Sequence, residues 1–279
     1  MDEIIDSHTH LWKCEGDYFD WIEESSVIRR DFFINDLQEI LHTCQVSGSI
    51  LVQAIPQLDE TQWLLDVAEQ APEIRGVIGW CDVSAGEKIH SDIDIFLKQS
   101  PLLKGIRYMS QGLPCEHLYE PAFIDGVREI GKAGLVYELL ITDSQLSAAQ
   151  KLIDACPDVT FVIEHMAKPC IKDRQIENWQ KHITSIATHY QNVFCKVSGM
   201  VTEAEINHWK NDDLTPYLDT IFECFGMQRT VFGSDWPVLL LASSYQHWLD
   251  VLNEYFQQSQ IKQTQGFFAD NAKQIYGLA

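Results

Sequence analysis

The sequence of 279 residues predicts a parallel (β/α)8 barrel, α/β in class, on three observations. Short apolar runs rich in branched residues alternate with amphipathic stretches, the pattern of strands buried on both faces and covered by helices. Eight such units fill the chain, close to the ~250 residues usual for this barrel. Polar residues recur at the C-terminal ends of runs one, four, six, seven and eight, where barrels of this type assemble their sites. A doubly wound open sheet is the rival. Only closure sets the last strand beside the first. Residues 1–279 are read as one domain.

The first strand is "IIDSHTHLW" (4–12), followed by a helical pattern at 35–45 and a second strand, "GSILVQA" (48–54). "ETQWLLDVAEQAP" (60–72) is an amphipathic helix stopped by its proline. "IRGVIGWCDV" (74–83) is the third strand, with a helix over 88–99. "PLLKGIRYM" (101–109) is the fourth, with a helix over 122–132 ending near Gly134. "LVYELLIT" (135–142), "SQLSAAQKLIDAC" (144–156) and "VTFVIEHM" (159–166) continue the alternation. A helix over 177–190 leads into "NVFCKVSGM" (192–200), and one over 214–225 into "TVFGSDWPV" (230–238). Helices at 245–256 and within "FFADNAKQIYGL" (267–278) close the series.

Composition removes several classes of function. The formal charge is −21, from 41 acidic and 20 basic residues, and such a field repels nucleic acid and anionic membrane surfaces. No apolar run approaches the ~18 residues of a membrane span. The start, Met1-Asp2-Glu3, lacks signal-peptide order, and the eight cysteines contain no C-x-x-C pair. These features predict a cytoplasmic chain with reduced thiols.

His8 and His10 lie two apart on a strand, so both imidazoles project the same way and can share one ion or substrate. Strand ends four, six, seven and eight add Arg107, His165, Lys196 with Ser198, and Asp235. By the period of two, Arg107 points inward at the mouth. Its plain structural alternative is an ion pair with Glu138 or Glu164. Asp6 shares the parity of His8 and is read as support one layer deeper. The aromatic and charged stretch 15–30 is read as part of a lid.

The motifs "DSHTHLW", "KGIRYM", "EHMAKP", "KVSGM", "FGSDWPV" and "NAKQIYGL" resemble the amidohydrolase superfamily. Within it they resemble the amidohydrolase-2 branch, which includes hydrolases of sugar lactones and pyrone dicarboxylate. The resemblance spans the whole chain. It implies one divalent ion, zinc by ligand type, held by His8, His10, His165 and Asp235, or none, and no organic cofactor. A bridged metal pair is not expected. Strand four carries Arg107 where binuclear members have Lys or Glu, and strand five offers Tyr137 and Glu138 but no histidine.

The predicted function is opening of a small lactone, most simply a sugar-acid lactone. Asp235 activates water, and His165 polarises the carbonyl. Lys196 assists the oxyanion. Arg107, Lys196, Tyr137, Trp12 and Trp236 are the expected substrate contacts; the bland alternative for Asp235 is a helix N-cap. The partner is thus a small-molecule lactone, with assembly as a homo-oligomer left open. A metal-dependent decarboxylase of the same superfamily is one alternative, and a non-catalytic binder of sugar acids another.

Overall fold

A computed structural model describes residues 3–278. Eight parallel strands follow one another in sequence order. They are β1 (Ile5–Thr9), β2 (Gly48–Val52), β3 (Ile74–Gly79), β4 (Leu103–Met109), β5 (Val136–Leu140), β6 (Phe161–Ile163), β7 (Val193–Val197) and β8 (Thr230–Phe232). The seam between β8 and β1 is joined at the C-terminal end. There the His10 amide donates to the Trp236 carbonyl at 2.8 Å and the Asp235 amide to the His8 carbonyl at 2.9 Å. The fold is the predicted (β/α)8 barrel.

The helices are α1 (Ile34–Thr43), α2 (Leu58–Gln70), α3 (His90–Gln99), α4 (Pro121–Lys132), α5 (Leu146–Ala155), α6 (Glu177–His189), α7 (Met200–Glu203), α8 (Asn211–Phe225), α9 (Tyr245–Gln258) and α10 (Asn271–Tyr276). Among the described residues none is long and apolar enough to cross a membrane. Each buries one stripe against the barrel wall. On α4, Phe123, Val127 and Ile130 recur at helical spacing, are fully buried, and start after a proline suited to a first turn.

Two apolar layers result. The outer one fills the space between strands and helices. The inner one gathers Ile5, Ile50, Ile78, Val136, Val162 and Val231 and is closed by Ala272 and Tyr276 of α10. Above it, the interior turns polar.

Three boundaries depart from expectation, and each departure positions the site. β6 and β8 hold only three residues, so His165 and Asp235 stand in turns beyond them rather than on strands. The chain turns left-handed there, with φ of 50° at His165 and 63° at Asp235. On β1, the register shifts between Asp6 and Thr9. Ile5 therefore joins the inner layer, and Asp6 is not the layer beneath His8. Its carboxylate instead accepts from Tyr245 Oη on α9 at 2.7 Å and from the amides of Ser234 and His8 at 2.9 and 3.0 Å. The supporting role stands, but from the outer side of the seam.

Packing of α4 on the segment 83–89 predicts one outcome. A Cβ on Gly126 would lie 2.1 Å from the Val83 carbonyl oxygen, backbone against backbone, which no rotamer change relieves. Gly126→Ala should cost about 2–4 kcal/mol, at or beyond the upper range for overpacking. Urea unfolding should show a lowered midpoint with an unchanged slope. A midpoint equal to that of the parent protein would show that α4 shifts freely.

Candidate active site

His8 and His10 emerge from β1 with their Nε2 atoms 3.0 Å apart. Asp235 Oδ1 faces both, 3.6 Å from His8 Nε2 and 3.4 Å from His10 Nε2. The seam bonds described above set this triangle. His10 Nδ1 lies 2.7 Å from the Val52 carbonyl, an acceptor only, so Nδ1 carries the proton and a neutral His10 offers its Nε2 lone pair. His8 Nδ1 lies 3.2 Å from Glu164 Oε1 and 3.2 Å from Lys196 Nζ.

Donor separations of 3.0–3.6 Å match the ~3.4 Å edge expected of a tetrahedron with zinc–ligand bonds of 2.0–2.1 Å. The residues present thus fit one ion on His8, His10 and Asp235. The expected four-residue set divides. His165 groups instead with His8 and Glu164, and its ring centroid is 4.6 Å from that of His8.

His165 is held by Ser198, whose Oγ is 2.8 Å from Nδ1. Gly199 lies against the ring. A Cβ there would approach His165 Nδ1 to 2.7 Å and Asp235 Oδ2 to 3.3 Å, and φ is +62°. Only glycine allows imidazole and carboxylate to sit this close together.

Burial pushes both His8 and His165 well below the ordinary imidazole range, so both are neutral at neutral pH. Burial also opposes ionisation of Asp235, but the polar groups around it outweigh that cost and hold the carboxyl below its ordinary value. The result is an ionised carboxylate among neutral imidazoles. That is a competent proton acceptor.

Below this triangle lies a layer of buried charge. Arg107 Nη1 donates to Glu164 Oε2 at 2.9 Å, and Nη2 donates to the Gln53 carbonyl. Lys196 Nζ donates to Glu138 Oε1 at 2.7 Å, and Tyr276 Oη donates to the same oxygen at 2.5 Å. Burial raises Glu138 to about 8, against the pull of Lys196 and with the help of neighbouring Glu164. Glu164 moves the other way, Arg107 and His8 overcoming its burial.

Five expected substrate contacts are therefore corrected. Arg107, 3% exposed, is committed to Glu164, the ion pair that competed with a substrate role in the sequence. Lys196 is fully buried beneath His8 and cannot meet an oxyanion in this arrangement. Tyr137 faces the helices, edge-on to Phe123 and Phe161, because the inward position of β5 is Glu138. Trp12 and Trp236 both pack around Phe32 behind His10 rather than forming a wall open to substrate.

The open space lies among residues that follow the site in the chain, and the triangle itself does not line it. A cavity of about 1070 Å³ is bounded by Trp21, Ile22 and Val27 of the stretch read as a lid, by Lys168, by Thr202 and by Leu240. Its walls grow from the turns that carry His165, Gly199 and Asp235. Sequence reading missed Glu138 and Glu164 as members of the site and Lys168 altogether. Both glutamates were named as possible partners for Arg107 rather than as members of the site, though Glu138 falls on the inward parity of β5.

This barrel, with a His/Asp cluster that could hold a metal ion, is of the amidohydrolase type of hydrolase. The chain belongs to the amidohydrolase superfamily, amidohydrolase-2 branch, whose family profile, described as amidohydrolase, matches residues 5–278. It is similar to an L-fucono-1,5-lactonase of Burkholderia ambifaria, 32% identical over 244 residues that cover 86% of this chain and 82% of that one. A second L-fucono-1,5-lactonase, from Burkholderia multivorans, is 31% identical over 86% of this chain and 84% of its own. Among solved structures, an amidohydrolase of Burkholderia multivorans with bound zinc superposes with a TM-score of 0.92 at 28% identity, covering 99% of this chain and 100% of that one.

The raised pKa of Glu138 makes stability depend on pH. The folded protein holds this proton more tightly than the unfolded chain, so the contribution is complete below about pH 4.5 and is lost as pH rises to about 8. Glu138→Gln keeps the shape of the protonated acid without titrating. The melting temperature of the variant relative to the parent protein should therefore climb between pH 4.5 and 8 and level off above. Parallel melting curves across that window would show that Glu138 titrates normally.

Proposed function

We propose that this protein hydrolyses the ester ring of a sugar-acid lactone. One observation carries the reading: a buried, ionised Asp235 set against His8 and His10 at the mouth of an amidohydrolase barrel. The likeness to two L-fucono-1,5-lactonases supports the substrate class. So does the cavity. Glu23, Asp143, Asp173, Glu203 and Glu205 face it against Lys168 and Lys172, a lining that disfavours a polyanion and suits a neutral polyol ring.

Asp235 accepts a proton from water as the water oxygen bonds to the acyl carbon. The bond from acyl carbon to ring oxygen then breaks, and the proton passes to that oxygen as a hydroxyl. Neutral His165, oriented by Ser198, is a hydrogen-bonding group for the reacting oxygens. An ion on His8, His10 and Asp235 would supply Lewis acidity and lower the pKa of bound water. His10 is prepared for such an ion by its bond to Val52, and His8 by the Glu164 carboxylate behind it.

Two outcomes are expected. Asp235→Asn preserves shape and removes the base, so kcat on the best lactone of an aldonolactone panel should fall ~10²–10⁴-fold with KM changed little. Near-normal kcat would place the base elsewhere. Elemental analysis after dialysis should find no more than one equivalent of zinc per chain, lost in His10→Ala. Two retained equivalents would show that the Glu164 group also holds an ion.

A further inference from the structure

Residues 165 to 168 form a turn that few sequences adopt. His165, Met166, Ala167 and Lys168 all have left-handed φ, at 50°, 53°, 61° and 48°. The Lys168 amide donates to the His165 carbonyl at 2.8 Å, and Trp179 Nε1 on α6 donates to the Met166 carbonyl at 2.7 Å. Met166 and Ala167 are fully buried. The turn is thus fixed at both ends of its run. It carries Lys168 out to the cavity one turn from the histidine of the reacting centre.

Lys168 differs from the other cations near the centre. Arg107 and Lys196 are sealed beneath the imidazoles by Glu164 and Glu138. Lys168 Nζ is partly exposed and has one carboxylate, Glu203 Oε1 at 3.3 Å, itself a quarter exposed. A pair of that exposure is worth little and exchanges readily for another oxygen. Lys172, the other lysine of the cavity, is farther along the chain and pairs with Glu205 at 3.1 Å, both about half exposed.

A neutral lactone becomes an anionic hydroxy acid on opening, inside a cavity where five carboxylates face two lysines. We propose that Lys168 receives this charge, exchanging Glu203 for the acyl oxygen of the substrate as it becomes the carboxylate of the product. The assignment rests on the lactonase reading and adds to it the residue that recognises the reacting end. Water adds to the acyl carbon and the ring oxygen leaves as a hydroxyl. The ionised acid remains beside the ammonium, and no oxidant or second substrate is required. Glu203 is the internal competitor that reclaims Lys168 when product departs.

The test compares Lys168→Met, Lys168→Arg and Glu203→Gln in the full chain. It uses two readouts: turnover of the aldonolactone panel, and equilibrium dialysis of the matching aldonates with their neutral alditols as controls. Lys168→Met should lose ~10²-fold in kcat/KM, the scale of one removed oxyanion donor, and at least tenfold in aldonate affinity, with alditol binding unchanged. Lys168→Arg should restore part of both. Glu203→Gln should bind aldonates more tightly than the parent protein. If Lys168→Met matches the active parent protein within twofold in both readouts, the assignment is overturned, and Glu203→Gln without effect says the same should Lys168→Met not fold. A parent protein that opens no lactone but binds aldonates through Lys168 would sink the lactonase reading and leave the lysine in place.

Discussion

Everything at the mouth depends on how strand eight is fastened to strand one. β8 is only three residues long, and closure falls to two backbone bonds beyond it, from His10 to Trp236 and from Asp235 to His8. These bonds join the very residues whose side chains form the triangle. A barrel seam and a reactive centre are therefore one construction. Asp6 reinforces it from the helix side, accepting the amides of Ser234 and His8 with one carboxylate and the Tyr245 hydroxyl with the same group. A loosened seam would cost stability and catalytic geometry together.

Beneath the seam the barrel interior holds an alternating set of charges in place of apolar packing. Arg107 with Glu164, and Lys196 with Glu138, lie almost wholly out of water. Isolated, Arg107 and Glu164 would each cost several kcal/mol to bury as ions, so their pairing offsets a penalty rather than adding net stability, while Glu138 avoids that cost by holding its proton up to about pH 8. What the layer adds is direction. His8 touches both pairs through Nδ1, leaving Nε2 to face His10 and Asp235. Tyr276 reaches the same layer from α10, which links the last helix of the chain to the floor of the site.

The barrel was legible in the sequence because alternation of apolar runs and amphipathic helices is a whole-chain signal that single residues cannot spoil. His8, His10 and Asp235 were legible because parity and closure together place them. Parity then failed wherever the backbone left the strand. The irregular register between Asp6 and Thr9 put Ile5, not Asp6, in the inner layer. Tyr137, expected as a substrate contact, faces the helices, because its neighbour Glu138 holds the inward position opposite Arg107. Exposure was the other unreadable quantity. Inward at the mouth and inward at the floor look alike in sequence, so Arg107 and Lys196 were expected to meet substrate when they meet Glu164 and Glu138.

Lys168 escaped for a third reason, which also explains its place. Nothing in "EHMAKP" marks a left-handed turn, since the motif has no glycine and each such residue costs of order 1–3 kcal/mol. The cost is met from outside the motif, by the Trp179 bond to Met166 and by burial of Met166 and Ala167. Asp235 repeats the device after β8, with φ of 63° and its amide fastened to His8. A right-handed exit from β6 would have begun a helix and carried residue 168 along it. The left-handed exit instead turns the chain within four residues, so an imidazole and an ammonium from one short turn serve the reacting centre and the cavity beside it. Strain in the two turns that carry His165 and Asp235 is what a site requires when its groups must stand closer together than strand geometry alone permits.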